Sequence, residues 1–427
     1  MPNMIRVLVV GASIAGPTTA YWLAKAGARV TIIERFPHLR TNGQNVDIRT
    51  SGVTVMRKMP GMEAAVRSKV TPMEGFSFVR ADGEPVATMR ATGNPDQQSL
   101  VSEYEIFRGQ LAQILFDMTK NNENIAYVFG EQVVSMQQQD GNGPITVEFA
   151  NGFPTAEFDL VVACDGASSR TRAIGLGCGV RDYTEPLNWW AAYFSIQKDV
   201  LRGSKMGESY SAVGGRFAAV GPDPSPGVNQ VTFMNIHPRN SDPSKVMQSF
   251  REAQKQGNND GCIALKEFIA QQYTGAGWKC DEIINEMMKS PDLYASEFVQ
   301  VKLPSLHKGR FALVGDAGYA GSLGAGTTLA LTGAYVLAGE ICNHKHDLSA
   351  GLKAYEERMR PILDELQKIP PFLTAVLAPQ TSWGLWIRNS IFAFVSWTRI
   401  MEHSQRIFGG AFAGVEKFKI PDYEWED

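Results

Sequence analysis

The sequence lacks the marks of an exported, disulfide-bonded or membrane-spanning protein. Its five cysteines are scattered and without C-x-x-C spacing, which argues against a disulfide framework and a zinc site. No run approaches the ~20 apolar residues that cross a bilayer, and the first residues have no signal-peptide core. We therefore expect a reducing, cytoplasmic location, with peripheral membrane contact through the apolar C-terminal segment as the alternative.

The sequence also lacks a strong charge of either sign. It carries 41 basic and 44 acidic residues, a formal net charge of -3, so no nucleic-acid partner is indicated. The six histidines show no metal-ligand spacing, and no G-x-S-x-G motif suggests a hydrolase. We expect a small apolar or aromatic substrate, no bound metal, no integral membrane association, and a monomer or homodimer.

A late aromatic segment, Pro371 to Met401, is the most apolar part of the chain. Arg388, Asn389 and Arg399 interrupt it, so it does not predict a transmembrane helix. It could form a core-facing helix pair, a subunit interface or a membrane-surface helix. We predict the core-facing pair.

The N-terminal pattern predicts a βαβ unit. Residues 5–10 form a β-branched run, 16–26 have helical apolar spacing, and 29–33 form a second strand that ends at Glu34. Residues 156–163 predict another buried strand, and 310–314 predict a late one that precedes a helix over 327–341. Between them, alternating patterns over 189–196, 215–220 and 230–237 predict an antiparallel sheet.

These patterns predict an α/β fold, with a Rossmann-like FAD-binding domain, an inserted, mainly antiparallel β-sheet substrate domain and a C-terminal helical segment. The FAD-binding domain would span 1–180, with an excursion at about 70–105 to the substrate sheet. The sheet domain would follow over 181–300. The FAD-binding domain would resume over 301–345, before C-terminal helices over 346–427.

A dinucleotide fingerprint lies between the first strand and helix. Gly11 permits the tight turn, Gly16 lets helix and strand pack closely, and a pyrophosphate would lie at the helix N-terminus. Ser13 replaces the middle glycine, which a small side chain allows. Glu34 can accept hydrogen bonds from ribose hydroxyls, which favours FAD or NAD over NADP at this site.

Two further segments complete a pattern of motifs that begins with this fingerprint. They are DLVVACDGASSRTR at 159–172 and GRFALVGD at 309–316. With the fingerprint they resemble the class A FAD-dependent monooxygenases, the para-hydroxybenzoate hydroxylase-like family, and in particular its branch of tetracycline-degrading monooxygenases. Residues 105–115, the loop NGQNVDIR at 42–49 and 355–361 are similar to the same branch. The resemblance covers nearly the whole chain.

The resemblance implies tightly but non-covalently bound FAD and a transient NAD(P)H, with NADPH favoured. It also implies that O2 is activated as a flavin C4a-hydroperoxide, which hydroxylates or epoxidises a bulky aromatic or polycyclic molecule in secondary metabolism or degradation. With the fingerprint it predicts these FAD-binding residues: Gly11, Ser13, Ala15, Gly16, Glu34, Arg35, Gln44, Asp47, Arg108, Val133, Asp165, Gly166, Arg172, Gly315, Asp316, Gly324, Ala325 and Gly326.

The resemblance has one departure. The family usually has a proline between its Gly-Asp motif and the following G-x-G, whereas residues 315–326 here have none and a shorter spacer. This keeps open an FAD-dependent oxidase or dehydrogenase without oxygen insertion, and an idle FAD-binding protein. No second G-x-G-x-x-G follows a strand, which fits a class without a dedicated NAD(P)H domain.

Substrate contacts are expected from the inserted sheet, because alternate side chains of its strands point toward the flavin. No catalytic residue is assigned from the sequence. The candidate substrate contacts are Tyr193, Arg216, Phe217, Phe233, Asn235 and His237.

Overall fold

The computed structural model describes residues 4–40, 43–91, 102–138, 143–257, 262–322, 324–344, 347–370, 373–397 and 419–425, of which 395–397 are described by their backbone alone. Its strands are β1 (Arg6–Val10), β2 (Arg29–Glu34), β3 (Asn45–Asp47), β4 (Gly75–Val79), β5 (Pro85–Arg90), β6 (Glu105–Phe107), β7 (Ile125–Phe129), β8 (Val133–Gln138), β9 (Ile145–Phe149), β10 (Ala156–Phe158), β11 (Leu160–Ala163), β12 (Thr184–Ile196), β13 (Met206–Ala212), β14 (Arg216–Pro222), β15 (Asn229–Ile236), β16 (Tyr294–Val301), β17 (His307–Lys308) and β18 (Phe311–Leu313). Its helices are α1 (Ala15–Lys25), α2 (Thr50–Arg57), α3 (Met62–Arg67), α4 (Arg108–Thr119), α5 (Arg170–Leu176), α6 (Pro243–Val246), α7 (Gln248–Gly257), α8 (Ile263–Tyr273), α9 (Cys280–Met287), α10 (Asp316–Tyr319), α11 (Gly326–Asn343), α12 (Leu348–Leu366), α13 (Leu373–Leu377) and α14 (Ser382–Trp397).

The first sheet has six strands in the order β17-β18-β11-β1-β2-β7. Its strands β18, β11, β1, β2 and β7 are parallel, as buried β-branched runs such as that of β1 predict. One face packs on α1, α11 and α12 in the largest hydrophobic cluster. The other face packs on the three-stranded sheet β10-β9-β8. The mixed α/β, Rossmann-like fold class predicted from the sequence is therefore confirmed.

The predicted strand over 156–163 is divided in two. Its first part, β10, pairs antiparallel with β9, whereas its second part, β11, pairs parallel with β1. The chain changes sheets at Asp159, whose backbone N-H donates to the carbonyl of Arg6. The prediction of one continuous strand was wrong, because a continuous apolar run does not reveal where a chain leaves one sheet for another.

The second sheet has seven strands in the order β16-β12-β15-β14-β13-β4-β5. All neighbours are antiparallel except β13 and β4, which are parallel. Helices α7, α8 and α9 cover one face, where Phe233 stacks on Tyr273 and Trp190 stacks on Phe250. The alternating sequence patterns predicted β12, β14 and β15, whereas β13 and β16 were not predicted. The domain boundaries proposed above stay a prediction.

The late aromatic segment does not form the predicted core-facing pair. Helix α14 touches the second sheet with one side only, where Phe392 packs against Phe78. Trp383 and Trp386, on its other side, are 69% and 61% exposed. The prediction was wrong because the helix has no second layer over it among the described residues. No helix of the described residues combines the length and the apolar composition that a membrane crossing needs.

Candidate FAD and substrate site

The turn between β1 and α1 is shaped by two glycines. Gly11 has a φ of +109°, and a Cβ built on it would lie 2.7 Å from the carbonyl oxygen of Cys164. A Cβ on Gly16 would lie 1.8 Å from the oxygen of Gly11, so no larger residue fits. Ser13 is partly exposed, whereas Ala15 is buried. No side chain caps the start of α1, which leaves its first N-H groups available to an anion.

Glu34 closes the turn from the end of β2. Its two carboxylate oxygens accept hydrogen bonds from the backbone N-H groups of Ala12, at 2.9 Å, and Phe36, at 3.1 Å. Each oxygen keeps a lone pair that a ribose hydroxyl could use. Arg35 is exposed, and its guanidinium lies 4.9 Å from the ring centre of Phe36.

Three distant segments converge at Asp316. Its side chain is accessible, yet burial raises the pKa of its carboxyl, and the nearby Arg108 opposes that shift. A group that is both accessible and surrounded by protein lines an internal cleft. Arg108 starts α4 and donates its backbone N-H to the carbonyl of Gln44 at 3.0 Å, and its side chain lies against Gly43.

Hydrogen bonds within residues 165–171 stabilise the Asp165-Gly166 turn. The Asp165 carboxylate accepts hydrogen bonds from the hydroxyl of Ser169 and from the backbone N-H and hydroxyl of Thr171, at 3.2 and 2.9 Å. Burial raises the pKa of this carboxyl, and these hydrogen bonds lower it. Gly166 has a φ of +89° and open space beside it.

Arg172 is one of the predicted cofactor contacts. It is fully buried, and its guanidinium donates to the carbonyls of Ala317, Ala167 and Val180 at 2.9, 3.0 and 3.0 Å. These hydrogen bonds tie the Asp165 turn to α10. Contact of Arg172 with a cofactor stays a prediction.

The loop after Gly315 leads into the long helix α11. Gly315 has a φ of +68° and Gly324 has a φ of +70°. Ala325 precedes the first helical residue, Gly326, and no side chain caps this helix start. Its free N-H groups and helix dipole favour negative charge, as expected beside the pyrimidine end of a reduced flavin. Leu323, within this loop, lies outside the described residues.

Two other predicted FAD residues lie on strands. Asp47, on β3, is directly opposite Glu105 on β6. Val133 begins β8 and packs against the cluster that contains Leu8 and Val10, behind the first sheet.

The six candidate substrate contacts divide between the two faces of the second sheet. Arg216, Phe233 and Asn235 share the face covered by helices: Arg216 donates to the carbonyl of Gln272 on α8 at 3.1 Å, and Asn235 is directly opposite both Arg216 and Trp190. These three side chains point away from the partly accessible face, and their contact with substrate stays a prediction. Because adjacent residues on a strand point to opposite faces, Arg216 and Phe217 could not both face a substrate.

Tyr193 and Phe217 lie on the other, partly accessible face. A chain of neighbours joins that face to Asp316. Tyr193 is paired in register with Tyr294, and the Arg40 guanidinium lies 5.7 Å from the Tyr294 ring centre. Burial lowers the pKa of Arg40, as does the adjacent charge of Arg108. His237 lies at the end of β15, where burial lowers its pKa.

Arg40, Tyr294 and Glu105 are parts of this region that the sequence patterns did not predict. Nothing in the sequence distinguishes Arg40 from other arginines of the loop. Glu105 follows Tyr104 in a short strand, and only its pairing with Asp47 reveals its surroundings.

The donor set fits FAD. The glycines at 11 and 16 form a cradle that any Cβ would fill, and two helix starts offer N-H groups. The side-chain oxygen of Gln44 is buried without a hydrogen-bond partner in the described protein, so it is available to a ligand donor. The described residues contain no group of three or more side chains suited to a metal ion.

Comparison with protein families agrees with this geometry. A family described as FAD binding domain matches residues 4–368. The FAD-dependent monooxygenase asL4 of Sarocladium schorii is 31% identical over 447 aligned residues, which cover 99% of both chains. Monooxygenase CTB7 of Cercospora beticola is 32% identical over 427 aligned residues, which cover 98% of both chains.

Solved structures show the same arrangement. Tetracycline destructase Tet(55) is similar with a TM-score of 0.77 and 27% identity, over 99% of this chain and 100% of that one. HpxO of Klebsiella pneumoniae, in complex with FAD and uric acid, is similar with a TM-score of 0.72 over 99% of each chain. At 18% identity, HpxO supports the fold alone.

Proposed function

Because this chain belongs to the FAD binding domain family and is an FAD-dependent monooxygenase, we propose that it takes electrons from NAD(P)H and inserts one atom of O2 into a bulky aromatic or polycyclic molecule. The observation that carries the proposal is the path from Asp316 and Arg108 through Arg40 and Tyr294 to the accessible sheet face. It joins a dinucleotide site to a surface suited to a flat, apolar ligand.

Bound FAD supplies hydride acceptance and oxygen activation. The protein holds and orients the reactants. Gly11, Gly16 and Glu34 would hold the adenosine end of FAD, Arg108 and Asp316 would hold the ribityl chain, and the start of α11 would stabilise negative charge. The exposed Arg35 and the nearby Arg40 are cations suited to a phosphate, which supports NADPH.

The substrate class follows from the accessible sheet face. In one cross-strand row, Ser209, Ala219, Thr232 and Tyr193 are paired neighbours on this face. Small side chains in the middle of the row leave room, and an aromatic ring at its end offers a stacking surface. These features support hydroxylation or epoxidation of a ring system.

The test is NADPH and NADH oxidation by the purified yellow protein with a panel of phenols, polyketide-like compounds and tetracycline. Oxygen-18 incorporation and hydrogen peroxide are followed together. We expect one compound class to accelerate oxidation and to gain labelled oxygen. Peroxide or product oxidation without labelled product would favour the oxidase or dehydrogenase alternative, which the missing proline in 315–326 keeps open. A protein that neither nicotinamide reduces would contradict the proposal.

A matched pair of variants tests the sheet face. Ala219→Phe fills the accessible face, so kcat/KM for the accelerating compound should fall about tenfold or more, while FAD content stays unchanged. Ala81→Phe, in the exposed turn between β4 and β5, is the control and should leave kcat/KM unchanged. Equal effects of both variants would argue against a substrate on this face.

A further inference from the structure

Two carboxylates face each other across the ribbon formed by β3 and β6. Asp47 and Glu105 are directly paired in the antiparallel register, which brings their Cβ atoms to about 5 Å. Two like charges at this distance destabilise a ribbon unless one is neutralised. The proposed function assigns no role to Glu105.

The pair points into the candidate flavin site. Val46 packs on the large core cluster and Ile106 is fully buried in it, so their neighbours Asp47 and Glu105 point the opposite way. The ribbon is fixed to the first turn of α11, where the Thr328 hydroxyl bonds the N-H of Arg49 at 3.0 Å and its carbonyl at 3.1 Å. Arg108 follows β6 directly and extends toward Asp316. The pair therefore lies on a ribbon that is bonded to the start of α11 and is followed by Arg108, two parts of the candidate flavin site.

The two carboxylates have unequal partners. Arg49 donates from Nε and Nη2 to one oxygen of Asp47, at 3.2 and 2.8 Å, whereas Glu105 accepts only a neutral amide N-H from Asn45, at 2.7 Å. Within the described residues, Oε2 of Glu105 has no hydrogen-bond donor. The guanidinium thus holds Asp47 ionised, and the proton of the pair belongs on Glu105.

The charges around Glu105 fit this assignment. Burial, and next the charge of Asp47, raise the pKa of Glu105 to about 7, while Asn45 and Arg49 oppose the shift. Arg108, the first residue of α4, acts on Asp316, whose pKa it lowers. The first turn of α11 adds only the hydroxyls of Thr327 and Thr328.

We propose that Glu105 is the catalytic residue that exchanges a proton with an enolic or phenolic hydroxyl of the substrate, and that Asp47, held by Arg49, is its positioning residue. The inference rests on the proposed monooxygenase function and narrows its substrate class. In the step, Glu105 acts in its ionised form, which it adopts as the pH rises through about 7. The substrate O-H bond breaks, its proton bonds to Oε2 of Glu105, and its electron pair stays on the substrate oxygen. No atom is oxidised or reduced. The resulting enolate or phenolate has an electron-rich carbon that accepts oxygen readily.

The assignment favours hydroxylation over epoxidation. A base is most efficient when its pKa lies near the working pH, and an acidic hydroxyl is the substrate group that such a base can ionise. An isolated alkene offers no such proton. Substrates should therefore carry a hydroxyl conjugated to the carbon that is oxygenated.

The first test measures the proton itself. Infrared spectra of the FAD-loaded protein, titrated from about pH 5 to about pH 9, should contain a protonated carboxylic-acid carbonyl band that disappears near neutral pH. Glu105→Gln should remove this band. Asp47→Asn should move its midpoint down by about one unit or more, because it removes the charge of Asp47 that raises the pKa of Glu105. Glu157→Gln, an exposed carboxylate on β10, is the control and should leave the band unchanged.

The second test measures turnover with the compound that accelerates NADPH oxidation. Glu105→Gln should lower kcat about 100-fold with the FAD dissociation constant unchanged, and should abolish the rise of kcat with pH around neutrality. A band that persists in Glu105→Gln, or an unchanged pH profile in that variant, would overturn the inference. If the proposed function itself fails, no compound gains labelled oxygen in the wild-type protein, and the infrared band still reports on the carboxylate pair.

Discussion

At the scale of single residues, the dinucleotide turn depends on two glycine positions where a Cβ atom would not fit. Gly16 has no room for a Cβ beside the Gly11 carbonyl, and Gly11 has none beside Cys164. Gly221 on β14, by contrast, has open space around it and no positive φ. Glycine is therefore required at the dinucleotide turn for contact reasons that do not apply at Gly221.

Replacement of Gly16 tests this requirement. Gly16→Ala should force the turn apart, lower the unfolding free energy by about 1–3 kcal/mol and leave the protein mostly without FAD. The measurements are the ratio of flavin to protein after purification and the thermal midpoint. Gly221→Ala is the control and should retain FAD at the wild-type ratio. A fully yellow Gly16→Ala protein would contradict the cradle assignment.

At the scale of elements, α14 is attached to the second sheet by a buried arginine without a carboxylate partner among the described residues. Arg388 is 6% exposed, donates to the Ser211 hydroxyl at 2.9 Å, and lies 5.8 and 5.4 Å from the ring centres of Phe78 and Phe392. Burial lowers the pKa of its guanidinium to about 10, so it is still charged at neutral pH. The helix therefore combines a buried charge with exposed tryptophans.

Two substitutions separate packing from charge at this position. Arg388→Ala should lower the unfolding free energy by about 2–3 kcal/mol, because it leaves a cavity beside two rings. Arg388→Met keeps most of that packing and removes a buried charge, so it should be nearly neutral. Urea unfolding followed by tryptophan fluorescence measures both. Equal losses would mean that the hydrogen bonds to Ser211 and Val376 hold the helix instead.

The C-terminal residues 419–425 pack on the helices α1 and α11, which cover the first sheet. Tyr423 donates to the Glu340 carboxylate at 2.7 Å and lies against Gly339, where a Cβ would come within 2.1 Å of its ring. Trp425 packs 4.8 Å from the ring centre of Trp22. This short segment therefore covers α1 and α11, the two helices whose starts line the dinucleotide site.

Substitutions of Tyr423 test whether the packing of residues 419–425 on α1 and α11 stabilises the fold. Tyr423→Ala should cost about 3–5 kcal/mol of stability, whereas Tyr423→Phe should cost about 1 kcal/mol, the usual value of one hydrogen bond. The thermal midpoint of each variant is the measurement. If both variants lose equally, the hydroxyl contact with Glu340, not ring packing, dominates.

At the scale of the whole molecule, titration of Glu105 and titration of Glu63 should change the free energy of unfolding in opposite directions as the pH rises. The pKa of Glu105 is raised from about 4.5 to about 7, so the native state binds more protons than the unfolded chain between these values. Its contribution is present below about pH 4.5 and is lost as the pH rises to about 7. The pKa of Glu63 is lowered to about 2, chiefly by hydrogen bonding from Tyr104, so its contribution is lost in acid.

The raised pKa of Glu105 gives a measurable prediction for how the free energy of unfolding changes with pH. The unfolding free energy of the wild-type protein should fall, by an amount on the order of 2 kcal/mol from Glu105, between about pH 4.5 and about pH 7. Glu105→Gln should remove that part of the slope, since an amide does not titrate. Urea midpoints at several pH values measure it. A slope that survives in Glu105→Gln would assign the effect to other groups, such as Asp165 and Asp316.

Local patterns in the sequence determined the elements around the cofactor. The run in β1, the glycines at 11 and 16, and the acid at position 34 lie within one βαβ unit, so their spacing along the chain fixes their spacing in space. The motifs at Asp165 and Asp316 follow buried strands of the same parallel sheet, and the ends of such strands meet at one edge. FAD binding and the fold class were therefore predictable from the sequence.

Only the tertiary structure decided which side chains share a surface. Strand phase placed Phe217 on the accessible face and Arg216 on the covered one, and tertiary packing buried Arg172. The pairing of Asp47 with Glu105 joins residues 58 positions apart through a strand register that no local pattern encodes. Local sequence determines elements because its interactions act along the chain, whereas faces, pairings and pKa shifts depend on contacts between distant segments.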